Sequence, residues 1–201
     1  MKQYATSRDD RSTDQIWLLQ HPPVYTLGQA GKREHILTAH SIPVIESDRG
    51  GQVTYHGPGQ LIAYLMIDFN RKQWHARELV SRIELSLIEL LSTLNIVAHS
   101  RQDAPGVYTE QGQKIASLGL RLKQHSSYHG LALNVDMDLS PFDHINPCGY
   151  PGMQMTHIKA FQPTIEMKDV EQRLCQQLQH HLEYEHCQFH TNNAQAPQQH
   201  H

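Results

Sequence analysis

Leu61-Ile62-Ala63-Tyr64-Leu65-Met66-Ile67-Asp68-Phe69 is the stretch on which the fold turns. Seven apolar residues run without alternation, which suits a strand buried on both faces. Such a strand needs cover, and the next segment supplies it. In residues 75–94, Leu79, Val80, Ile83, Leu87, Leu90, Leu91 and Leu94 recur at helical spacing. Arg77, Glu78, Glu84 and Glu89 fall largely off that stripe. The pair reads as sheet plus covering helix, and the leucine stripe reads as core.

Outward from this unit the signals are mostly extended. Residues 15–19 (QIWLL) form a strand that His21-Pro22-Pro23 breaks, and residues 24–27 resume it. Residues 42–45 are a short apolar strand. Residues 106–109 and 114–122 flank Glu110-Gln111-Gly112-Gln113, a hairpin turn. Residues 128–135 (YHGLALNV) form another strand. A second helix runs from Lys168 to about Glu185, with Val170, Leu174, Leu178 and Leu182 on one face. The expected fold is therefore α/β of the α+β type: a mixed β-sheet with packed helices. Residues 1–190 read as one domain and 191–201, rich in Asn, Gln and Pro, as a flexible tail.

Composition excludes several classes. At 201 residues with 38% hydrophobic and 18% charged positions, this is a globular chain. A formal net charge of −3 leaves no bulk electrostatic case for nucleic acid. The opening residues have no apolar signal core, and the longest apolar run is too short to span a bilayer. Three cysteines, Cys148, Cys175 and Cys187, argue against a disulfide framework and for a reducing compartment, the cytoplasm. The sixteen histidines form no HExxH, and no CxxC pair is present, so no metal site is expected.

Four segments carry chemistry. Cys148 lies in Ile145-Asn146-Pro147-Cys148-Gly149-Tyr150-Pro151-Gly152, where prolines and glycines dictate a loop. A thiolate on such a loop can attack an acyl group. In Lys114-Ile115-Ala116-Ser117-Leu118-Gly119-Leu120-Arg121, strand alternation puts Lys114 on the face of Ala116, Leu118 and Leu120. An ammonium on an apolar face either snorkels to the edge or meets an anion, and a thiolate is a candidate anion. In residues 129–135 (HGLALNV), Gly130, Ala132 and Asn134 leave room on one face for a slim ligand. Finally, in Asp48-Arg49-Gly50-Gly51-Gln52-Val53-Thr54-Tyr55-His56-Gly57-Pro58-Gly59-Gln60, the glycines allow close backbone approach. Arg49 is there a candidate charged donor and His56 a neutral one. The run matches neither a P-loop nor a dinucleotide fingerprint.

Taken together, the blocks DRGGQVTYHGPGQ, DAPGVY, KIASLGLR, HGLALNV and INPCGY, in that order, resemble the octanoyltransferase family of protein lipoylation. Each block alone is weak; five in order are specific. The resemblance spans about Gln15 to His157. It implies the catalytic fold shared with lipoate and biotin protein ligases. It implies transfer of an octanoyl group from octanoyl-acyl carrier protein, through a cysteine thioester, to a lysine of lipoyl domains. The partners implied are the lipoyl domains of 2-oxoacid dehydrogenase complexes and the glycine cleavage H protein, with no nucleic acid or membrane. No cofactor or metal is implied, because the acyl donor rides on the carrier's phosphopantetheine. The family's acyl-thioester cysteine falls on Cys148 and its lysine on Lys114. Its substrate contacts fall on Arg49, Gly50, Gly51, Gln52, Val53, Thr54, Tyr55 and His56, on Ser117, Leu118 and Gly119, and on Gly130, Leu131 and Ala132. Lys32, Arg33, Arg101 and Arg121 are candidates for docking acidic partners.

Family members carry a further strand and helix before the stretch that matches residues 14–20. A form starting upstream is expected to be the more stable one. An ATP-dependent lipoate-protein ligase shares the fold but does not need Cys148. A non-catalytic module binding lipoyl domains or acyl carriers, and a histidine-rich metal-binding protein, are the rivals of other classes.

Overall fold

The computed structural model describes residues 1–9, 11–38, 41–123 and 126–190. In chain order it contains α1 (Lys2–Ser7), β1 (Gln15–Leu19), β2 (Val24–Leu27), β3 (Val44–Glu46), β4 (Val53–His56), β5 (Gln60–Met66) and α2 (Ala76–Ser92). There follow β6 (Ala98–Ser100), β7 (Gly106–Thr109), β8 (Lys114–Leu118), β9 (Arg121–Lys123), β10 (Ser126–Tyr128), β11 (Gly130–Asn134) and α3 (Met167–His181). The tail expected over residues 191–201 lies outside the described residues.

The main sheet has six strands in the order β1-β5-β11-β8-β7-β6, antiparallel throughout. β5 sits inside it, and Leu61, Ala63, Leu65, Met66 and Ile67 are fully buried, as its unbroken apolar run dictates. α2 and α3 pack together on one face of this sheet. Leu79, Ile83, Leu87, Leu90 and Leu91 of α2 join Val170, Leu174 and Leu178 of α3 over Leu61, Ala63 and Leu133. The mixed character expected of the sheet resides in a second one, β3-β2-β4, where β2 pairs parallel to β3 and antiparallel to β4. That sheet has its own core of Tyr25, Leu27, Val53, Tyr55, Met137, Phe142 and Ile145.

Two expected strands are each divided. The stretch 114–122 divides into β8, ending at Leu118, and β9, starting at Arg121, with Gly119 still donating its N–H to Gly130 O at the end of the β8–β11 pairing. The stretch 128–135 breaks at His129, which adopts φ 58°. The two outer pieces, β9 and β10, pair as a separate ribbon. Gly130 follows because a Cβ there would lie 2.0 Å from Ala63 O.

Upstream of β1 the chain is tied down by a buried ion pair. Asp14 accepts from Arg8 Nη2 at 2.5 Å, from the Asp68 N–H at 2.8 Å and from Tyr184 Oη at 2.6 Å. These three donors come from before β1, after β5 and after α3, so one carboxylate joins both ends of the described chain to the sheet. Among the described residues no helix is long and apolar enough to cross a membrane.

Candidate active site

A cavity of about 1030 Å³ opens between the two sheets, lined by the 46–54 segment, β5, residues 117–120, β11 and the Cys148 loop. Of the expected site residues, Arg49, Gly50, Gly51, Gln52, Val53, Thr54, His56, Ser117, Leu118, Gly119, Gly130, Leu131, Ala132 and Cys148 line it. Tyr55 does not. Strand alternation turns its ring to the opposite face of β4, against Tyr25 and Phe142.

Cys148 stands in a tight turn with φ 58°, followed by Gly149 at φ 82°. A non-glycine residue in the left-handed region is strained. Here the turn is fastened on several sides. Gly149 N–H reaches Asn146 O, Asn146 N–H reaches His35 O, and Tyr150 Oη donates to Asp103 O at 2.8 Å.

Behind the cysteine lies Lys114. It is fully buried, and its Nζ donates to Cys148 Sγ at 3.0 Å and to Pro105 O at 3.0 Å. The Tyr108 ring centroid is 5.2 Å from the same nitrogen. The lysine therefore does not snorkel; it meets the thiol. β8 positions it, with Lys114 N–H bonded to Gln154 O and Thr156 N–H to Lys114 O. This ties the lysine to the segment that follows the cysteine. Gly106 gives the side chain passage: a Cβ there would lie 2.6 Å from Lys114 Cε and 2.5 Å from Ala116 O.

Arg49 and His56 both line the cavity and are also tied into the protein's own framework. Arg49 Nε donates to Thr26 Oγ1, Nη1 to Gly50 O, and Nη2 to both Thr26 O and Gln52 O. Four of its five N–H groups thus brace the glycine-rich turn. Burial pushes its guanidinium down to about 10, with the charge of Cys148 opposing. Thr26 Oγ1 is 3.3 Å from His56 Nε2, and His56 Nδ1 is 2.7 Å from Gln60 Oε1. Gln60 Nε2 then donates to Asn134 Oδ1, and Asn134 Nδ2 to Thr156 O. A buried polar chain therefore runs from Arg49 to the residue bonded to Lys114's carbonyl. Burial, more than any neighbour, pushes His56 down to about 4.

Several lining groups were not singled out from sequence. Asp48 accepts from Tyr128 Oη at 2.8 Å, from His129 Nε2 at 2.8 Å and from Lys2 Nζ at 2.9 Å. Burial alone would raise its carboxyl, but those donors hold it well below the usual range. His21 is bonded to Tyr64 Oη. Burial lowers both His21 and His129, with the Asp48 carboxylate opposing at His129. The histidines of this wall are thus held neutral near pH 7.

Of the four basic docking candidates, Lys32, Arg33 and Arg101 pair with Glu34, Glu46 and Asp103. Arg121 bonds Gln29.

A buried lysine stands 3.0 Å from a cysteine that lines a cavity between two sheets, on a fold of the lipoyl-ligase class. The lipoyl protein ligase A/B catalytic domain matches residues 1–179. A crystal structure of lipoate-protein ligase A bound with ATP superposes with a TM-score of 0.75 at 12% identity, covering 90% of this chain and 78% of the other. The biotin protein ligase of Aquifex aeolicus has the same core at a TM-score of 0.50 and 16% identity, covering 62% of this chain and 53% of the other. An octanoyltransferase of Pseudomonas putida is 56% identical over 184 residues, 92% of this chain and 85% of the relative. The chain belongs to the octanoyltransferase family of lipoyl protein ligase A/B catalytic domains, and it is an acyltransferase.

Proposed function

We propose that this protein moves an octanoyl group from octanoyl-acyl carrier protein to a lysine of lipoyl domains, through a thioester on Cys148. The single observation that carries the reading is the fully buried Lys114, 3.0 Å from Cys148 Sγ at the cavity wall. An adjacent ammonium favours the thiolate, which is the nucleophile. In the first half-reaction the Cys148 thiolate attacks the thioester carbonyl, and the bond to the carrier's sulfur breaks. Lys114 gives the departing thiolate its proton. In the second half the acceptor's neutral amine attacks the Cys148 thioester. The C–S bond breaks, the sulfur leaves as thiolate, and Lys114 takes the amine's proton and is again an ammonium.

Thioester exchange is close to neutral and thioester to amide is downhill. The reaction as written draws on no nucleotide, metal or redox cofactor. Arg49 and the Gly50–Gly51 turn shape the cavity from within the framework. Since the Gly50 and Gly119 N–H groups are already bonded to Leu120 O and Gly130 O, any oxyanion donor is sought elsewhere in the glycine-rich segments.

Intact-protein mass spectrometry after mixing with octanoyl-carrier protein tests the reading. An octanoyl adduct is expected without ATP, absent in Cys148→Ala and discharged by an apo lipoyl domain. A folded wild type that forms no adduct overturns it, as does transfer that requires ATP and a free acid.

A further inference from the structure

We propose that Glu89, His180 and His181 form a binding site for a divalent transition metal, Zn²⁺ foremost, that clamps α2 to α3. One ligand atom from each residue lies within 4.8 Å of the other two. None of the three lines the acyl cavity, so the site is separate from the transfer chemistry.

The geometry at His181 points to a cation. Its Nε2 is 3.0 Å from Glu89 Oε2. Yet that nitrogen is a buried atom with no hydrogen bond of acceptable geometry. A ring nitrogen and a carboxylate oxygen in close approach, with no proton properly placed between them, are held best by a shared cation. Metal–ligand distances of ~2.0–2.1 Å at a tetrahedral angle span roughly 3.4 Å between ligand atoms. The pair therefore has to open by only a few tenths of an ångström. The third group, His180, is exposed and edge-on to His181 with ring centroids 5.0 Å apart, and its ligand nitrogen already lies within 4.8 Å of the other two ligand atoms.

The backbones that carry the three ligands are locked together. Ser86 Oγ reaches Gln177 O at 3.3 Å, and Arg82 Nη1 reaches His181 O at 2.8 Å. The ligands thus project from two packed helices, and a metal would find them largely preorganised. Both histidines lie in the last turn of α3, where the helix dipole favours positive charge. Arg82 opposes a cation there, but its guanidinium is already paired with Glu78 and Glu183. Two imidazoles with one carboxylate select Zn²⁺, Ni²⁺ or Cu²⁺ over Ca²⁺ and Mg²⁺, which take oxygen sets. Three protein ligands leave the remaining position to water.

The test uses the full chain titrated with Zn²⁺ against a chromophoric chelator, and with Co²⁺ as a spectroscopic probe. Wild type is expected to bind one equivalent at this site, and Zn²⁺ to raise its melting temperature. His180→Ala and Glu89→Gln, both at exposed positions, are expected to melt like wild type without metal. They should bind Zn²⁺ weaker by roughly tenfold or more, as befits loss of one ligand in three, and lose the Zn²⁺-induced rise. The Co²⁺ spectrum is expected to lack a thiolate charge-transfer band. Unchanged affinity and unchanged thermal shift in both variants would overturn the site. So would a thiolate band, which would place the metal at a cysteine instead.

Discussion

Glu84 and Lys114 hold opposite ends of one peptide group. Lys114 Nζ donates to Pro105 O at 3.0 Å, and the next amide, Gly106 N–H, donates to Glu84 Oε1 at 3.3 Å. Burial pushes the Glu84 carboxyl up, while the Gly106 N–H and the Lys114 charge pull it back. A hydrogen bond at one end of a peptide strengthens the one at the other end. Glu84 thus steadies the carbonyl that aims Lys114 at Cys148, and it balances part of a charge held away from water. Glu84→Gln keeps an acceptor for Gly106 but removes the charge. Alkylation of Cys148 by iodoacetamide at pH 7, read by site-resolved mass spectrometry, is expected to slow about tenfold, some 1.4 kcal/mol. Glu84→Asp should recover part of the rate. A Gln variant that alkylates like wild type would show that the carboxylate's charge has no bearing on the thiol.

Lys114 is placed for chemistry at the expense of packing. A fully buried ammonium that meets one sulfur, one carbonyl, the Tyr108 ring and the more distant charge of Glu84 costs desolvation that these contacts repay only in part. Lys114→Met fills the same slot with an apolar chain and removes the donor to Cys148 Sγ. It is expected to melt at or above the wild-type temperature while octanoyl transfer falls by two orders of magnitude or more, on the order of 3 kcal/mol in the barrier. Destabilisation of the Met variant would show that the lysine is part of the fold's support and not a burden on it.

The main parts of this arrangement could be read from the chain, and what escaped has a common cause. β5 and α2 follow from unbroken apolar sequence and from helical periodicity, both local signals. Lys114 stood out because a charge on an apolar strand face either snorkels or meets an anion; the loop cysteine was one candidate anion, and only the fold places the two 3.0 Å apart. The Asp48–His129 pair was not visible, since its members lie 81 residues apart and neither breaks a local pattern. The bracing role of Arg49 was hidden for a related reason. It lines the cavity beside the glycines, but four of its five N–H groups are taken by Thr26, 23 residues away, and by its own turn. Tyr55 lies within the glycine-rich motif, yet strand alternation separates it from Thr54 and His56 and turns it to the core.

Gly106 is held by geometry on two counts. Its φ of 143° lies outside the range that L-residues favour, and a Cβ would meet both Ala116 O and Lys114 Cε below 3.0 Å. Gly106→Ala is expected to cost about 2–4 kcal/mol in chemical denaturation, because neither backbone nor lysine can yield without disturbing β7 and β8. Transfer should fall further than the folded fraction alone explains, since the lysine is displaced from Cys148. Normal specific activity per folded molecule would mean that the lysine repositions freely.

Asp14 offers a test far from the cavity. Its carboxylate is the shared acceptor of Arg8, the Asp68 amide and Tyr184, and the side chains of the Arg8–Asp14 pair are only 4% and 7% exposed. Removing one partner of a buried pair strands the other. Asp14→Ala is expected to lose about 3–5 kcal/mol of stability, with early proteolysis before β1 and after α3. A loss below 1 kcal/mol would show that Arg8 finds water or another acceptor.

His56 makes stability depend on pH with a definite sign. Its pKa is near 6.5 in an unfolded chain and is pushed down to about 4 in the fold, chiefly by burial, with Gln60 opposing and Arg49 assisting. Between these values the unfolded state binds the proton and the folded state does not. The contribution is therefore fully present above about pH 6.5 and drains away as the pH falls through 4. The difference amounts to about 3–4 kcal/mol, at ~1.4 kcal/mol per pKa unit. Urea midpoints measured from pH 7.5 down to 4 should fall steeply for wild type. His56→Gln keeps polar atoms beside Thr26 and Gln60 but cannot titrate, so it should start less stable at pH 7.5 and show a visibly shallower decline. Parallel declines in the two proteins would assign the acid sensitivity to the carboxylates, with Asp48 the first to examine because its donors hold it so far down.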